Sequence, residues 1–124
     1  MSQSNELTRQ IISFIYPKFG FAWRQNSTGI VDPVKGFRAS AKKGVADILA
    51  CVGGRFIAIE IKIGKDHLSD EQIGFIKSIQ FTGGIAMVVS SWVEFERLWN
   101  DLVAVSLPLA VKNEYQQALS IKKT

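Results

Sequence analysis

The sequence predicts a single α/β domain, with helix, three strands, helix, strand and helix following in that order around a mixed central sheet. Three observations carry this. Two runs rich in branched apolar residues, VADILACV and RFIAIEIKI, are split by Gly53-Gly54. Ser-x-x-Gln at Ser69 and Ser-x-x-Glu at Ser91 each stand directly before a stretch of helical apolar spacing. Nearly half of the 124 residues are hydrophobic, enough to close one core over residues 1–124 without staples.

A first helix is expected from about Asn5 to Tyr16, where Leu7, Ile11, Ile12, Phe14 and Ile15 form an apolar stripe and Pro17 stops it. FAWRQN (21–26) alternates as a short strand. Residues 27–44 are rich in Ser, Gly and Pro, which reads as a long loop, and loops of that length tend to carry function. The two runs about Gly53-Gly54 form a hairpin. Ser69 caps the next helix with Gln72 as its partner at the third helical position. Ile73, Phe75, Ile76 and Ile79 form its buried face, and Gly83-Gly84 end it. IAMVVS (85–90) is a fully buried strand. Ser91 and Glu94 make a second capping box for a helix reaching about Leu102, with Trp92, Phe95 and Trp99 inward. Residues 110–120 form a last helix.

Several classes are excluded by composition. No apolar run approaches the roughly 18 residues of a membrane span, and the N-terminal stretch lacks the basic-then-apolar order of a secretory signal. Cys51 is the single cysteine, so no internal disulfide can form and the cytosol is the simple compartment. Net charge is +4. Its distribution matters more: between Asp32 and Asp47 lie Lys35, Arg38, Lys42 and Lys43, with no acid among them. Such a stripe suits a polyanion, or else is a solvated loop that keeps the protein soluble.

A two-residue Gly53-Gly54 turn sets Val52 opposite Arg55, and the register then carries Asp47 opposite Glu60. Side chains alternate along a strand, so Asp47, Leu49, Cys51, Phe56, Ala58, Glu60 and Lys62 share one face. Ala46, Ile48, Ala50, Val52, Ile57, Ile59 and Ile61 form the other, a core surface. Opposed side chains have Cβ atoms about 4.5–5.5 Å apart, so two carboxylates there need a shared proton or a cation between them. Both are hard oxygen ligands suited to Mg²⁺ or Mn²⁺. Lys62 stands on the same face, placed to meet charge on a phosphate. The bland reading is a solvated sheet end in which Lys62 offsets two acids.

These residues resemble the catalytic core of the PD-(D/E)XK nuclease superfamily. The closer likeness is to its VRR-NUC (virus-type replication-repair nuclease) family, through GVAD, GGRFIAIEIKIG, the SDEQ helix and GGIAMVVSSWVEF. The family's proline before the aspartate is Ala46 here. The resemblance implies a restriction-endonuclease-like α-β-β-β-α-β core, its mixed central sheet flanked by helices. It also implies a Mg²⁺- or Mn²⁺-dependent endonuclease. Asp47 and Glu60 would be metal ligands with the carbonyl of Ile61, and Lys62 the catalytic lysine. Gln72 would be aimed at the site and Glu6 would complete the metal shell. Gln72 equally explains itself as a capping partner, and Glu6 as a helix-dipole residue. The family further implies a homodimer acting on branched DNA, Holliday junctions or flaps, in replication, repair or recombination.

Lys43, Lys42, Arg38, Lys35, Arg24 and Asn26 are candidates for nucleic-acid phosphate contacts. His67 is a solvent or capping residue, and Cys51 and the tryptophans are core, with Trp23 alone considered for base stacking. Residues 101–111 complete the core or form a subunit contact. The other readings are a noncatalytic nucleic-acid-binding module, and a restriction-type or RNA-directed nuclease on the same scaffold.

Overall fold

A computed structural model describes residues 2–25, 30–32, 36–38 and 43–107. Helix α1 spans Gln3–Ile15, capped by Ser2, whose hydroxyl accepts from the Asn5 amide. Strands follow at Phe21–Arg24 (β1), Ile30–Asp32 (β2), Gly36–Arg38 (β3), Ile48–Val52 (β4) and Arg55–Ile61 (β5). Helix α2 is Asp70–Phe81, strand β6 is Ile85–Val89 and helix α3 is Trp92–Leu98. One sheet has the order β1-β4-β5-β6; β1 pairs antiparallel with β4 and β4 antiparallel with β5, while β6 lies parallel to β5. Among the described residues the result is an α/β fold with a four-stranded mixed sheet and three α-helices. No helix among the described residues is long and apolar enough to cross a membrane.

The predicted hairpin register holds. Val52 pairs with Arg55 and Ile48 with Ile59. Gly53 and Gly54 have φ of 60° and 80°, as the two central residues of a type I′ turn require.

One face of the sheet is the main core. Ile48, Ala50, Val52, Ile57, Ile59 and Ile61 pack beneath Leu7, Ile11 and Ile15 of α1 and Phe95 of α3, with Trp99 just beyond α3. Phe14 centres an aromatic cluster there, meeting Trp92, Phe95 and Trp99 edge-on at 5.3–5.7 Å. The opposite face is thinner: Leu49, Ala58 and Ala86 meet Phe75, Ile76 and Ile79 of α2.

Several expectations are corrected. The loop expected over 27–44 contains β2 and β3, a separate two-stranded ribbon with Ile30 opposite Arg38, Val31 opposite Phe37 and Asp32 opposite Gly36. Its strands are shorter than the window in which alternation becomes readable. Helix α2 has no fully buried residue, because the face it covers offers mostly alanine; Ile73 lies outside that contact cluster. Cys51 is exposed rather than core: toward the hairpin turn the second face is bare, and its neighbours Phe21 and Phe56 are also exposed. Strand β6 is not uniformly buried, since Ile85 and Val88 remain half-buried.

At Ser91 the capping box is displaced. Its hydroxyl accepts from the Glu94 amide, but the Glu94 carboxylate accepts from Ser90 N–H at 2.8 Å instead of from Ser91. Helix α3 ends at Leu98, and a π-helical segment over Trp99–Val103 and a 3₁₀ turn over Ala104–Ser106 continue the chain. Of the 101–111 stretch, Val103 and Leu107 complete the core, while Leu102 and Val105 are exposed. Residues 108–111 and the helix expected at 110–120 lie outside the described residues.

Candidate metal centre

Strand β4 begins at Ile48, so Asp47 lies in a bend one residue before the ladder rather than within it. Strand geometry gives the reason its side chain still reaches the site. Odd-numbered residues of β5 aim their backbone groups at β4, and continued pairing would bring Ile61 N–H to residue 46. The chain bends first, and the Asp47 carboxylate takes that donor: Oδ2 accepts from Ile61 N–H at 2.8 Å. The same bend breaks the alternation, so Ala46 sits with Leu49 and Ala58 on the second face, not on the core face as expected. On its other side, the Asp47 carbonyl accepts from Gln25 N–H at 2.8 Å, which holds the bend against the end of β1.

Glu60 belongs to the last turn-distal pair of β5 residues and is 3% exposed, one of two buried polar or charged side chains among the described residues. Burial, followed by a hydrogen bond to the Asp47 carboxyl and the charge of Asp47, raises its pKa from 4.5 to about 8; Lys62 opposes the shift. A carboxyl held beside a second carboxyl is disfavoured in its charged form, the same direction as burial pushes it. Lys62 is half-buried one residue past the end of β5, not within the strand as expected, and its amide donates to Val89 O at 3.0 Å, which ties this end of β5 to β6.

Gln72 resolves its two readings by satisfying both. Its Oε1 accepts from Ser69 N–H at 2.8 Å, closing the capping box, while its Nε2 donates to Glu60 Oε1 at 3.2 Å. One amide thus both starts α2 and fixes the orientation of Glu60. Helix α2 comes this close because residue 44 is glycine: φ is +80°, and a Cβ there would stand 2.3 Å from Glu71 O.

The other expected site residues are placed as follows. Glu6 lines a separate cavity of about 400 Å³ with Ile63, Ser90 and Trp92, and no group of three potential metal-binding side chains forms among the described residues. Lys43 is exposed beside Gly44. Arg24 donates to Asn5 Oδ1 at 2.5 Å, a pairing that joins β1 to α1. Lys35, Lys42 and Asn26 lie outside the described residues, and Arg38 is the last residue of β3. His67 is exposed. Trp23 is half-buried over the second face and donates to Gln25 Oε1 at 3.3 Å. Asn5 and Gln25 are contacts that sequence reasoning missed, and neither has a local signal, because each partner is distant in sequence or bound through the backbone.

The donor set fits a hard divalent cation. Two carboxyl groups meet where burial and their mutual repulsion disfavour two negative charges without a cation. In a strand residue N–H and C=O leave on the same side, so the Ile61 carbonyl leaves β5 toward Asp47 as well. Oxygen ligands of this kind suit Mg²⁺ or Mn²⁺ completed by water and phosphate. No protein-family model matches the chain, and no curated protein matches it.

Proposed function

We propose that the protein is a metal-dependent endonuclease that hydrolyses DNA phosphodiester bonds, built on a restriction-endonuclease-like core of the VRR-NUC kind. The observation that carries this is the buried Glu60 carboxyl beside Asp47 at one end of the sheet, with Lys62 one residue past the end of β5 and near enough for its charge to act on Glu60. A structural pair would gain more from an apolar substitute than from a buried acid whose ionised form is disfavoured. A site that takes up a cation needs the acid.

Asp47, Glu60 and the Ile61 carbonyl would hold Mg²⁺ or Mn²⁺. Such an ion supplies a more acidic bound water and a polarised phosphate. Asp47 is oriented by the Ile61 amide and Glu60 by Gln72, so both carboxylates are set before any ligand arrives. Lys62 offsets charge building on the nonbridging phosphate oxygens, an electrostatic role that needs position more than chemistry. Gln72 acts on Glu60 and is a positioning residue. Glu6 completes the metal shell only through a rearrangement from the cavity it lines.

The likeness to VRR-NUC nucleases also carries branched DNA as substrate and a homodimer that would cut two strands. Leu102 and Val105, 40% and 65% exposed, are apolar side chains that such a contact could cover. The test is cleavage of linear, flap and four-way DNAs with Mg²⁺ or Mn²⁺ by wild type and Lys62→Ala. Metal-dependent cutting that the substitution abolishes supports the assignment. No cutting of any substrate, or equal cutting by both proteins, refutes it.

A further inference from the structure

We propose that Gln25 is a further substrate-contacting residue of the metal centre, its side-chain amide donating to a nonbridging oxygen of the phosphate bound there. The proposal rests on the nuclease reading of that centre and adds to it the group that meets the substrate from the end of β1. Gln25 N–H donates to the Asp47 carbonyl at 2.8 Å, one step beyond the pairing of Arg24 with Ile48, so Gln25 stands opposite Asp47. Side chains opposed in this way have Cβ atoms about 4.5–5.5 Å apart. With the strand order β1-β4-β5, Gln25, Asp47 and Glu60 follow one another across this end of the sheet.

The Gln25 side chain is turned to the face that carries the acids. Trp23 packs against the Leu49 and Ala58 cluster of the second face, and its Nε1 donates to Gln25 Oε1 at 3.3 Å. Arg24, between them, goes to Asn5 of α1 instead. An indole N–H can only donate, so the amide turns its oxygen to Trp23 and its nitrogen away. Gln72 uses the same device beside Glu60: Ser69 N–H holds its Oε1, and its Nε2 is left to reach the Glu60 carboxyl. The Gln25 amide nitrogen has no acceptor among the described residues, and the residue is only half-buried, so a ligand can reach it.

A carboxamide suits this position. A third carboxylate would deepen the repulsion between Asp47 and Glu60, and a lysine would compete with a cation for them. A neutral donor does neither, yet gains the strength of a hydrogen bond to a charged phosphate oxygen. Lys62 comes to that phosphate from the end of β5 and Gln25 from the end of β1, with the acids on β4 and β5 beneath it.

The experiment uses the full chain. Labelled linear, flap and four-way DNAs are titrated with Lys62→Ala protein in Mg²⁺, alone and with Gln25→Met, Gln25→Glu or Trp23→Phe added. Cleavage is measured for the same three variants with Lys62 intact. Gln25→Met keeps the length of the side chain and removes the donor. Gln25→Glu keeps an acceptor for the indole and puts a charge where the donor was. Both weaken binding of the best-bound DNA about tenfold or more and slow cleavage by at least as much, with the melting temperature unchanged. Trp23→Phe keeps a ring but loses the N–H. It weakens binding about threefold alone and not at all on top of Gln25→Met, the non-additivity of a positioning residue. Unchanged binding in both Gln25 variants, or no DNA binding by the Lys62→Ala parent, overturns the inference. Weaker Mg²⁺-dependent binding in both variants of a protein that, as wild type, cuts nothing upholds the phosphate contact and overturns the nuclease reading. Metal-dependent cutting that neither Gln25 variant slows does the reverse.

Discussion

The two faces of the β4–β5 hairpin come from the same residues taken alternately, yet they do opposite things. Ile48, Ala50, Val52, Ile57, Ile59 and Ile61 lie under α1 and the α3 region, and every one is at most 7% exposed. The other set runs from exposed Cys51 and Phe56, through Leu49 and Ala58 beneath α2, to the Asp47–Glu60 pair. Alternation gives a strand two independent surfaces, so one can be optimised for burial while the other carries groups that burial disfavours. The first face stabilises the fold, and the second uses that stability to hold a buried glutamate whose charged form burial and Asp47 disfavour.

The contrast is broken most severely by substitutions on opposite faces. Ile59→Ala leaves a cavity in a position with no exposure and destabilises by about 2–5 kcal/mol. Chemical denaturation shows a lower midpoint, and cleavage per folded molecule stays near wild type. Lys62→Ala does the reverse. Under the proposed nuclease function, losing the group that would offset transition-state charge costs about 10²–10³-fold in rate, while the melting temperature barely moves because Lys62 is only half-buried.

The pH dependence sharpens the same comparison. Glu60 titrates near 4.5 when unfolded and near 8 in the fold. Between those values the folded protein keeps a proton that the unfolded chain releases. The stabilisation from the neutral carboxyl is complete below pH 4.5 and is lost as pH rises through 8, at a slope of at most about 1.4 kcal/mol per pH unit. Denaturation midpoints measured across this window fall with rising pH in wild type and flatten in Glu60→Gln. The smallest effect belongs to the junction between fold and site. Ser69→Ala removes the cap of α2 and costs about 1 kcal/mol. Since Gln72 spans the cap and Glu60, the same variant also shifts the pH midpoint of metal-dependent activity, a change that a purely structural cap would not produce.

Which parts were legible in the sequence follows from where their determinants lie. The β4–β5 register is local, set by Gly53-Gly54, and it carried the pairing of Asp47 with Glu60 to within one residue. The α2 cap is likewise local in Ser69 and Gln72. The bend at Asp47 was not legible, because it arises where a side chain replaces a backbone acceptor across the sheet. The second contact of Gln72 was hidden for a similar reason: nothing within α2 states which strand it faces. The exposure of Cys51 depends on where α2 ends its cover, and the displaced cap at Ser91 depends on Glu94 reaching one residue further back. Short strands β2 and β3 carry too few residues for periodicity to speak.

The central claim is that the Asp47–Glu60 pair exchanges its shared proton for a divalent cation. Calorimetric titration of Mg²⁺ and Mn²⁺ into the wild-type protein, repeated in buffers of different ionisation enthalpy, tests it directly. The expected result is saturable binding with release of about one proton near neutral pH, tightening as pH rises toward 8, and abolished by Glu60→Gln. Binding that releases no proton and persists in Glu60→Gln, or no binding at any pH, would contradict it.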